Sequence, residues 1–390
     1  MNVLIVPMFA LSRMGGPWSR AQAIADAFEQ AGHHVVLGVS DDGNCANPCV
    51  PDILQLPVPS PLGLPMRVAS RTFPMAEKLG ISGRKPVHSF EEVLWLTGAL
   101  AYEYERESVA AICDAIAGRD IDAVYSEYSL PAIIAAKACG APVFGSFSYT
   151  TQTSYASEPA KAEGVRKLAS ELGLPSVESS LELFDWLERR FVPSCPELEP
   201  IQDGGVEFVG FLRESADVAE GERDCIVVYL GSGSVPQAKI EKAVIEAFGG
   251  HNGNVYVAGC KGQRQEGNVR FAPRFDFSEL LPHARCFVHH GGQNSTMDAL
   301  AYAVPQVIVP GKVFERIYNA TSVERAGAGL SLDGFNAQAL AGACKRVSDE
   351  PSFGENAQSL RGTLASLGGA SRIVESITKE GQSLFGYSCR

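Results

Sequence analysis

Residues 286–310, CFVHHGGQNSTMDALAYAVPQVIVP, run from a short apolar stretch through two glycines into a helical pattern and back into an apolar, β-branched stretch. Strand, helix and strand in such close succession make a βαβ unit, and such units demand a parallel sheet covered by helices on both faces. The same rhythm extends in both directions. Upstream, CIVVYLGSG (225–233) leads into VPQAKIEKAVIEAFGG and then NVYVAGC; downstream lies a terminal helical stretch.

A separate copy of the rhythm fills the first half. VLIVPMF (3–9) precedes SRAQAIADAFEQAG, in which Ala23, Ile24, Ala27 and Phe28 recur at helical spacing and Gly32 stands where a helix wants its C-cap. HVVLGVS follows, and later IDAVYSE (121–127), LPAIIAAKAC and APVFGSFS. Between the halves, VPSCPELEPIQDGGVEFVGFLRESADVAEGERD (192–224) is rich in Pro, Gly and acid, the composition of a boundary. The expected organisation is a first domain over 1–195, a linker over 196–222, a second domain over 223–375 and a C-terminal segment over 376–390. Ligands of doubly wound α/β sheets sit beyond the carboxyl ends of the strands, so the cleft between the two domains is the expected site.

Composition narrows the function classes. The chain has 390 residues, 45% hydrophobic and 20% charged, which suits two globular domains and excludes a disordered or collagen-like chain. A formal charge of −12 repels nucleic acid, so no such partner is expected. MNVLIVPMFAL lacks a basic leader and is broken by Pro7, and no stretch reaches membrane-spanning length; a cytoplasmic protein is expected. Ten cysteines without a CxxC pair read as reduced structural thiols. Against the acidic background, residues 60–90 carry Arg67, Arg71, Lys78, Arg84 and Lys85 with one acid, Glu77: a solvated loop, or a contact with a membrane surface or cleft phosphate.

Glycines at a helix start let backbone N–H groups approach a phosphate. Two places supply this: GSGS, with Gly233 and Ser234, and GGQNST, Gly291 to Thr296. The first lacks the third glycine of a dinucleotide fingerprint, NVYVAGC ends without the ribose-binding acid, and GxxxxGK[ST] is absent, which disfavours nicotinamide chemistry and excludes a P-loop. In the second, Asn294 and Ser295 fall in the first helical turn and Asp298 one turn on, sharing a face with Asn294. Donors followed by an acid suit a diphosphate followed by ribose hydroxyls.

FAPR (271–274), HHGGQNSTMD, AVPQVIVP and NATSVERAGAGL together resemble the nucleotide-sugar signature of the UDP-glycosyltransferase superfamily, family-1-like bacterial enzymes of GT-B fold, and weaker similarity runs through most of the chain. The resemblance implies two doubly wound (Rossmann-like) domains facing across a cleft, with 1–195 on the acceptor side, 223–375 holding the nucleotide-sugar donor and the segment 376–390 returning to the first domain. It places Phe271 on the base with Arg274 beside it, His290, Gly292, Asn294, Ser295 and Ser234 on the diphosphate, and Asp298 on the ribose. Glu315 and Arg316 stand where family members carry an acid and a Gln that grip the donor sugar; an Arg, offering only donors, suggests a sugar other than plain glucose. Gly15 and Gly16 resemble the first loop of the bacterial peptidoglycan N-acetylglucosaminyltransferase, which lies against donor phosphates. His289 reads as strand-end packing.

One departure bears on catalysis. The family's first loop often reads GHxxP, its His serving as general base; here GPWSR (16–20) puts Pro17 at the His and Arg20 at the Pro. Glu127, at the position of the acid that orients that base, and His88, in the basic segment, are the candidate replacements. DxD occurs once, as Asp120-Ile121-Asp122, at a strand entrance away from the cleft, and reads as structural, so no metal is expected. The expected function is inverting transfer of a hexose from a UDP-sugar, or a dTDP-sugar, to an acceptor hydroxyl of a small molecule or lipid, with the nucleotide sugar as co-substrate and no bound cofactor. The alternatives are a nucleotide-sugar-binding subunit without its own base, and a nucleotide-sugar 2-epimerase of the same fold.

Overall fold

Strands β1 (Asn2–Pro7), β2 (His34–Ser40), β3 (Ile53–Leu56), β4 (Ala123–Glu127), β5 (Val143–Ser146), β6 (Arg189–Val192) and β7 (Val206–Phe208) form a first sheet in the order 3-2-1-4-5-6-7, with every pairing parallel. Strands β8 (Cys225–Tyr229), β9 (Val255–Ala258), β10 (Arg264–Glu266), β11 (Val269–Ala272), β12 (Ala284–His289), β13 (Gln306–Ile308) and β14 (Gly329–Ser331) form a second in the order 10-11-9-8-12-13-14, parallel except for the β10–β11 hairpin. These relations come from a computed structural model that describes residues 1–9, 16–40, 47–61, 64, 68, 85–213, 223–231, 235–250 and 253–385. The expected α/β architecture of two doubly wound sheets is thus observed.

The central strands are apolar throughout because helices cover both faces. Val3, Leu4, Ile5 and Val6 of β1 and Val227 and Val228 of β8 are all buried. Helix α1 (Gly16–Gln30) buries Trp18, Ala21, Ile24, Ala25 and Phe28. The helical period was therefore legible, but Ala21 and Ala25 flank the buried stripe where Ala23 and Ala27 were expected. Asp122 Oδ2 accepts the Asn2 N–H at 2.7 Å, tying β1 to β4 at their amino ends. That is the structural role expected of the DxD stretch.

Two boundaries shift. The expected linker 196–222 contains β7, which pairs with β6 and completes the first sheet, so that sheet extends past residue 195. Helices α2 (Gln293–Ala301) and α3 (Phe314–Arg325) lie in the second domain, and the return to the first domain begins earlier than residue 376, with helix α4 (Gly369–Phe385). Ile373, Val374 and Ile377 of α4 pack with Trp18, Ile24 and Phe28 of α1. Each such side chain contributes about 1.5–3 kcal/mol by leaving water, which fastens the chain end to the first domain. No helix among the described residues is long and apolar enough to cross a membrane.

In each sheet the strand order reverses beside the first strand, between β1 and β4 and between β8 and β12. Their carboxyl ends carry Pro7 paired with Glu127, and Tyr229 paired with His289. The two crevices face each other, and Arg20 of the first domain reaches Asn294 of the second.

Candidate functional site

The turn from β12 into α2 is shaped by two neutral imidazoles and two glycines. His289 Nδ1 accepts the Gly291 N–H at 3.1 Å, which assigns the ring proton to Nε2, 2.8 Å from Gln306 Oε1. Burial lowers its pKa to about 4, so the ring is neutral. This is the packing role expected of His289, sharpened: it holds the backbone of the glycine turn. Gly291 has φ +82°, and a Cβ there would come within 2.9 Å of both the Arg316 carbonyl oxygen and the Ile308 Cγ2. Its own carbonyl accepts Asn319 Nδ2 at 2.8 Å. Only glycine satisfies both conditions.

His290 lies between two glycine backbones. A Cβ on Gly292 would approach its Nε2 to 2.6 Å, and one on Gly231 its Nδ1 to 3.1 Å. Burial first, then the nearby Arg316 and His289, depress its pKa to about 3. His290 therefore offers hydrogen bonding and no charge, and its Nδ1 is buried without a partner.

Gly292 caps α2, whose first turn holds Asn294 and the buried Ser295. Asp298 follows one turn later, as the spacing required. Burial raises its pKa to about 6 despite the pull of Arg213. Arg213 Nη2 in turn donates to Ser19 Oγ at 2.9 Å. The structure thus gathers His290, Gly292, Asn294, Ser295 and Asp298 at one helix start.

Other expected residues fare differently. Phe271 is 1% exposed and belongs to the second-domain core, because β11 alternates and turns Val269 and Phe271 inward. Its free face is covered by Arg264, whose guanidinium carbon lies 3.9 Å from the ring centre, held by Glu241 at 3.0 Å and Glu266 at 3.1 Å. The expected open stacking platform is therefore absent, and Arg274 is exposed. Gly15, Gly233 and Ser234 lie outside the described residues, as do Arg67, Arg71, Lys78 and Arg84 of the basic segment. Gly16 opens α1, and a Cβ there would make only ordinary contact, 3.5 Å from Arg20 Nη1, so nothing in its surroundings requires glycine.

Across the cleft, Glu127 is fully buried at the end of β4. Oε1 accepts Arg20 Nε at 2.6 Å and Oε2 accepts the Ser146 hydroxyl, itself 2.9 Å from the Tyr125 hydroxyl. A carboxylate with both oxygens engaged and no exposed surface does not fit the expected direct base. The acid's orienting place is kept, but what it orients is Arg20. That guanidinium lies 5.5 Å from the centre of the Tyr128 ring, and its Nη1 donates to Asn294 Oδ1 at 3.1 Å, spanning the two domains. Tyr128 itself takes φ +60°, an uncommon backbone state for a bulky residue.

His88 is exposed, with its backbone N–H on Glu92 Oε2 at 2.7 Å and its ring within electrostatic reach of Glu158. Its neighbour Val87 pairs with Val313 in the second domain, through Val87 N–H to Lys312 O and Phe314 N–H to Val87 O, each 2.9 Å. The segment reaches the loop before Glu315 and Arg316. Glu315 stands in the first turn of α3, where an acid suits the helix dipole, and acts electrostatically on both Arg20 and Glu199.

Glu199 was missed by the sequence reading. It is 4% exposed, its Oε2 accepts the Tyr149 N–H at 2.6 Å, and burial raises its pKa to about 7. The hydroxyls of Ser194, Thr296 and Ser322 are buried without partners and border the same small void as Glu199, between the crossing segment, α2 and α3. Ser194 Oγ stands beside the carboxylate without reaching hydrogen-bond geometry. The neighbouring wall is an aromatic clasp between domains, with the rings of Tyr149 and Tyr318 stacked 4.7 Å apart at 11° and Tyr155 edge-on at 5.9 Å from each. The one signal available was the acid itself, set between prolines in PELEP where the chain crosses domains.

Two facing doubly wound domains with a glycine turn and helix start at the second crevice define the GT-B architecture. The calicheamicin glycosyltransferase CalG4 superposes with a TM-score of 0.73 at 15% identity, covering 99% of both chains, and the spinosyn rhamnosyltransferase SpnG with 0.69 at 14%, covering 97% of this chain and 100% of that one. Residues 261–379 match the C-terminal domain of the erythromycin biosynthesis protein CIII-like family. The chain thus has the GT-B fold, and over part of its length it is similar in sequence to bacterial glycosyltransferases. In sequence it is 38% identical over 115 residues to the aclacinomycin-T 2-deoxy-L-fucose transferase of Streptomyces galilaeus, and 33% over 125 residues to the O-mycaminosyltylonolide 6-deoxyallosyltransferase of Streptomyces fradiae. These matches span 29% and 31% of the chain and only 26% and 29% of those relatives.

Proposed function

We propose that the protein transfers a hexose-type sugar from a nucleoside diphosphate to an acceptor hydroxyl, with inversion and without a metal ion. The observation that carries this is the α2 start, where Gly291, Gly292 and a neutral His290 open onto Asn294, Ser295 and Asp298 beneath Arg20. Backbone N–H groups and the helix dipole favour a diphosphate leaving group at that place, and Asp298 suits ribose hydroxyls. The deoxy-sugar transferases among the relatives support a hexose-type donor and the thymidine diphosphate complex of SpnG supports a thymidine diphosphate sugar, a uridine diphosphate sugar being the alternative; in this proposal Glu315 and Arg316 are assigned to the hexose.

In the displacement, the acceptor oxygen bonds to the anomeric carbon as the bond from that carbon to the diphosphate oxygen breaks, and the acceptor proton passes to Glu199. Glu199 is assigned this work because it borders the void between the crossing segment, α2 and α3 and burial holds its pKa at about 7, whereas both oxygens of Glu127 are engaged by Arg20 and Ser146. Calorimetric titration with TDP and UDP, followed by release of free sugar from dTDP-glucose and UDP-glucose, tests the reading. Affinity for neither nucleotide at millimolar concentration would refute it.

The locked Arg20–Glu127 pair also favours a second reading, a nucleotide-sugar-binding subunit without turnover. Tight nucleotide binding with no sugar transfer or release on either donor separates that reading from the first.

A further inference from the structure

A nucleoside diphosphate at the start of α2 brings two to three negative charges, and what the second domain offers it there is mostly neutral. His290 is uncharged, and a helix start supplies about half a positive charge. Arg316 is the cation of that domain that acts on His290. From the opposite domain comes Arg20, with its side chain 14% exposed. Glu127, fixed by Ser146, grips Nε and so sets the plane of the guanidinium. The far end of the same fork rests on Asn294 Oδ1, a neutral acceptor in the first turn of α2.

We propose that Arg20 is the first domain's ligand for the donor diphosphate, taking the phosphate that carries the sugar and exchanging its Asn294 contact for a phosphate oxygen. The inference rests on the function proposed above. With the nucleoside on the second domain, as proposed above, the phosphate joined to the sugar is the one left toward the cleft, where a side chain already touching Asn294 can take it. A guanidinium stays charged and presents two prongs, which suits a phosphate oxygen pair better than a lone ammonium does. Two consequences follow. Binding of the donor is coupled to closure of the domains, since its cation comes from across the cleft. As the anomeric bond breaks, the charge that develops on the leaving oxygen meets a preorganised cation. Glu127 is then a positioning residue, and the stretch that carries Pro17 at the usual His position supplies, three residues on, a ligand for the leaving group.

The test is calorimetric affinity for TDP, UDP, TMP and UMP in the wild type, in Arg20→Lys and in the double variant Arg20→Met with Glu127→Gln. The double variant removes both charges together and leaves no buried carboxylate unpaired. Arg20→Lys keeps the ion pair and loses the fork, so it remains informative should the double variant fail to fold. The expected result is a loss of about ten- to a hundredfold in diphosphate affinity for the double variant, a smaller loss for Arg20→Lys, and monophosphate affinity within about twofold of wild type. Diphosphate affinity unchanged in both variants, or equal losses for mono- and diphosphates, would overturn the role of Arg20 while leaving the nucleotide site intact. Wild-type protein that binds none of the four nucleotides would overturn the site and the inference together.

Discussion

Replacing Glu199 by Gln should make the protein's stability less dependent on pH, in a direction and amount that the site fixes. The carboxyl is buried against the Tyr149 N–H, and its pKa stands at about 7 against an ordinary 4.5. A folded pKa above the unfolded one means that the folded state binds the proton more tightly. The stability from this group is therefore fully present below about pH 4.5, is lost as pH rises through 7, and levels off above that. That difference amounts to roughly 3 kcal/mol. Glutamine keeps an acceptor for the Tyr149 N–H and does not titrate. Urea unfolding of both proteins from pH 4.5 to 8 should show the variant gaining on the wild type by about 3 kcal/mol across that range. A difference that stays constant within about 0.5 kcal/mol would refute the account of this carboxyl. The same variant bears on catalysis: sugar transfer should rise with pH through about 7 in the wild type, and fall by about 10² to 10⁴ and lose that profile in Glu199→Gln.

Three further outcomes are expected. Asp298 titrates near 6, so TDP affinity should weaken as pH falls below that value and the carboxylate is lost, by up to about tenfold per pH unit, relative to an Asp298→Asn variant measured in parallel; curves that run together would count against a ribose role. Gly291→Ala combines a left-handed backbone with contacts of 2.9 Å to Arg316 O and Ile308 Cγ2, and should cost about 2–4 kcal/mol in urea unfolding, with a loss of nucleotide affinity; a neutral substitution would show that the turn yields. Glu105, inside the first domain on helix Tyr102–Gly118, has both carboxylate oxygens buried without a partner, which pushes its pKa well up. Glu105→Met should therefore stabilise the protein by about 1–3 kcal/mol at pH 8 and by less at pH 5, and equal shifts at the two pH values would contradict it.

Strand, helix and glycine positions around α2 were legible because they depend on local physics: an apolar run between two layers, a helical period, and a backbone that must turn tightly before a helix. The placement of His289 as packing and of Asp298 one turn beyond Asn294 followed from the same periodicities. What the sequence misplaced was long-range. Phe271 has the composition of a stacking ring, yet the parity of β11 turns it into the core and Arg264, seven residues earlier, closes over it. The segment 196–222 reads as a linker by composition, yet Val206–Phe208 finds an edge to pair with in the first sheet.

By itself the sequence determined two α/β domains and a glycine turn opening a helix that sets Asn294 and Asp298 on one face, since spacing along the chain sets which side chains share a helix face. The tertiary structure alone decided the charges of the cleft. Arg20 and Glu127 stand 107 residues apart, Arg20 and Asn294 274 apart, and the pairings that commit Glu127, free Glu199 to titrate near neutrality and carry a first-domain cation to the second exist only once the two crevices face each other. Burial and opposite charge at close range, which fix those protonation states, are properties of neighbours in space and leave no mark on neighbours in sequence.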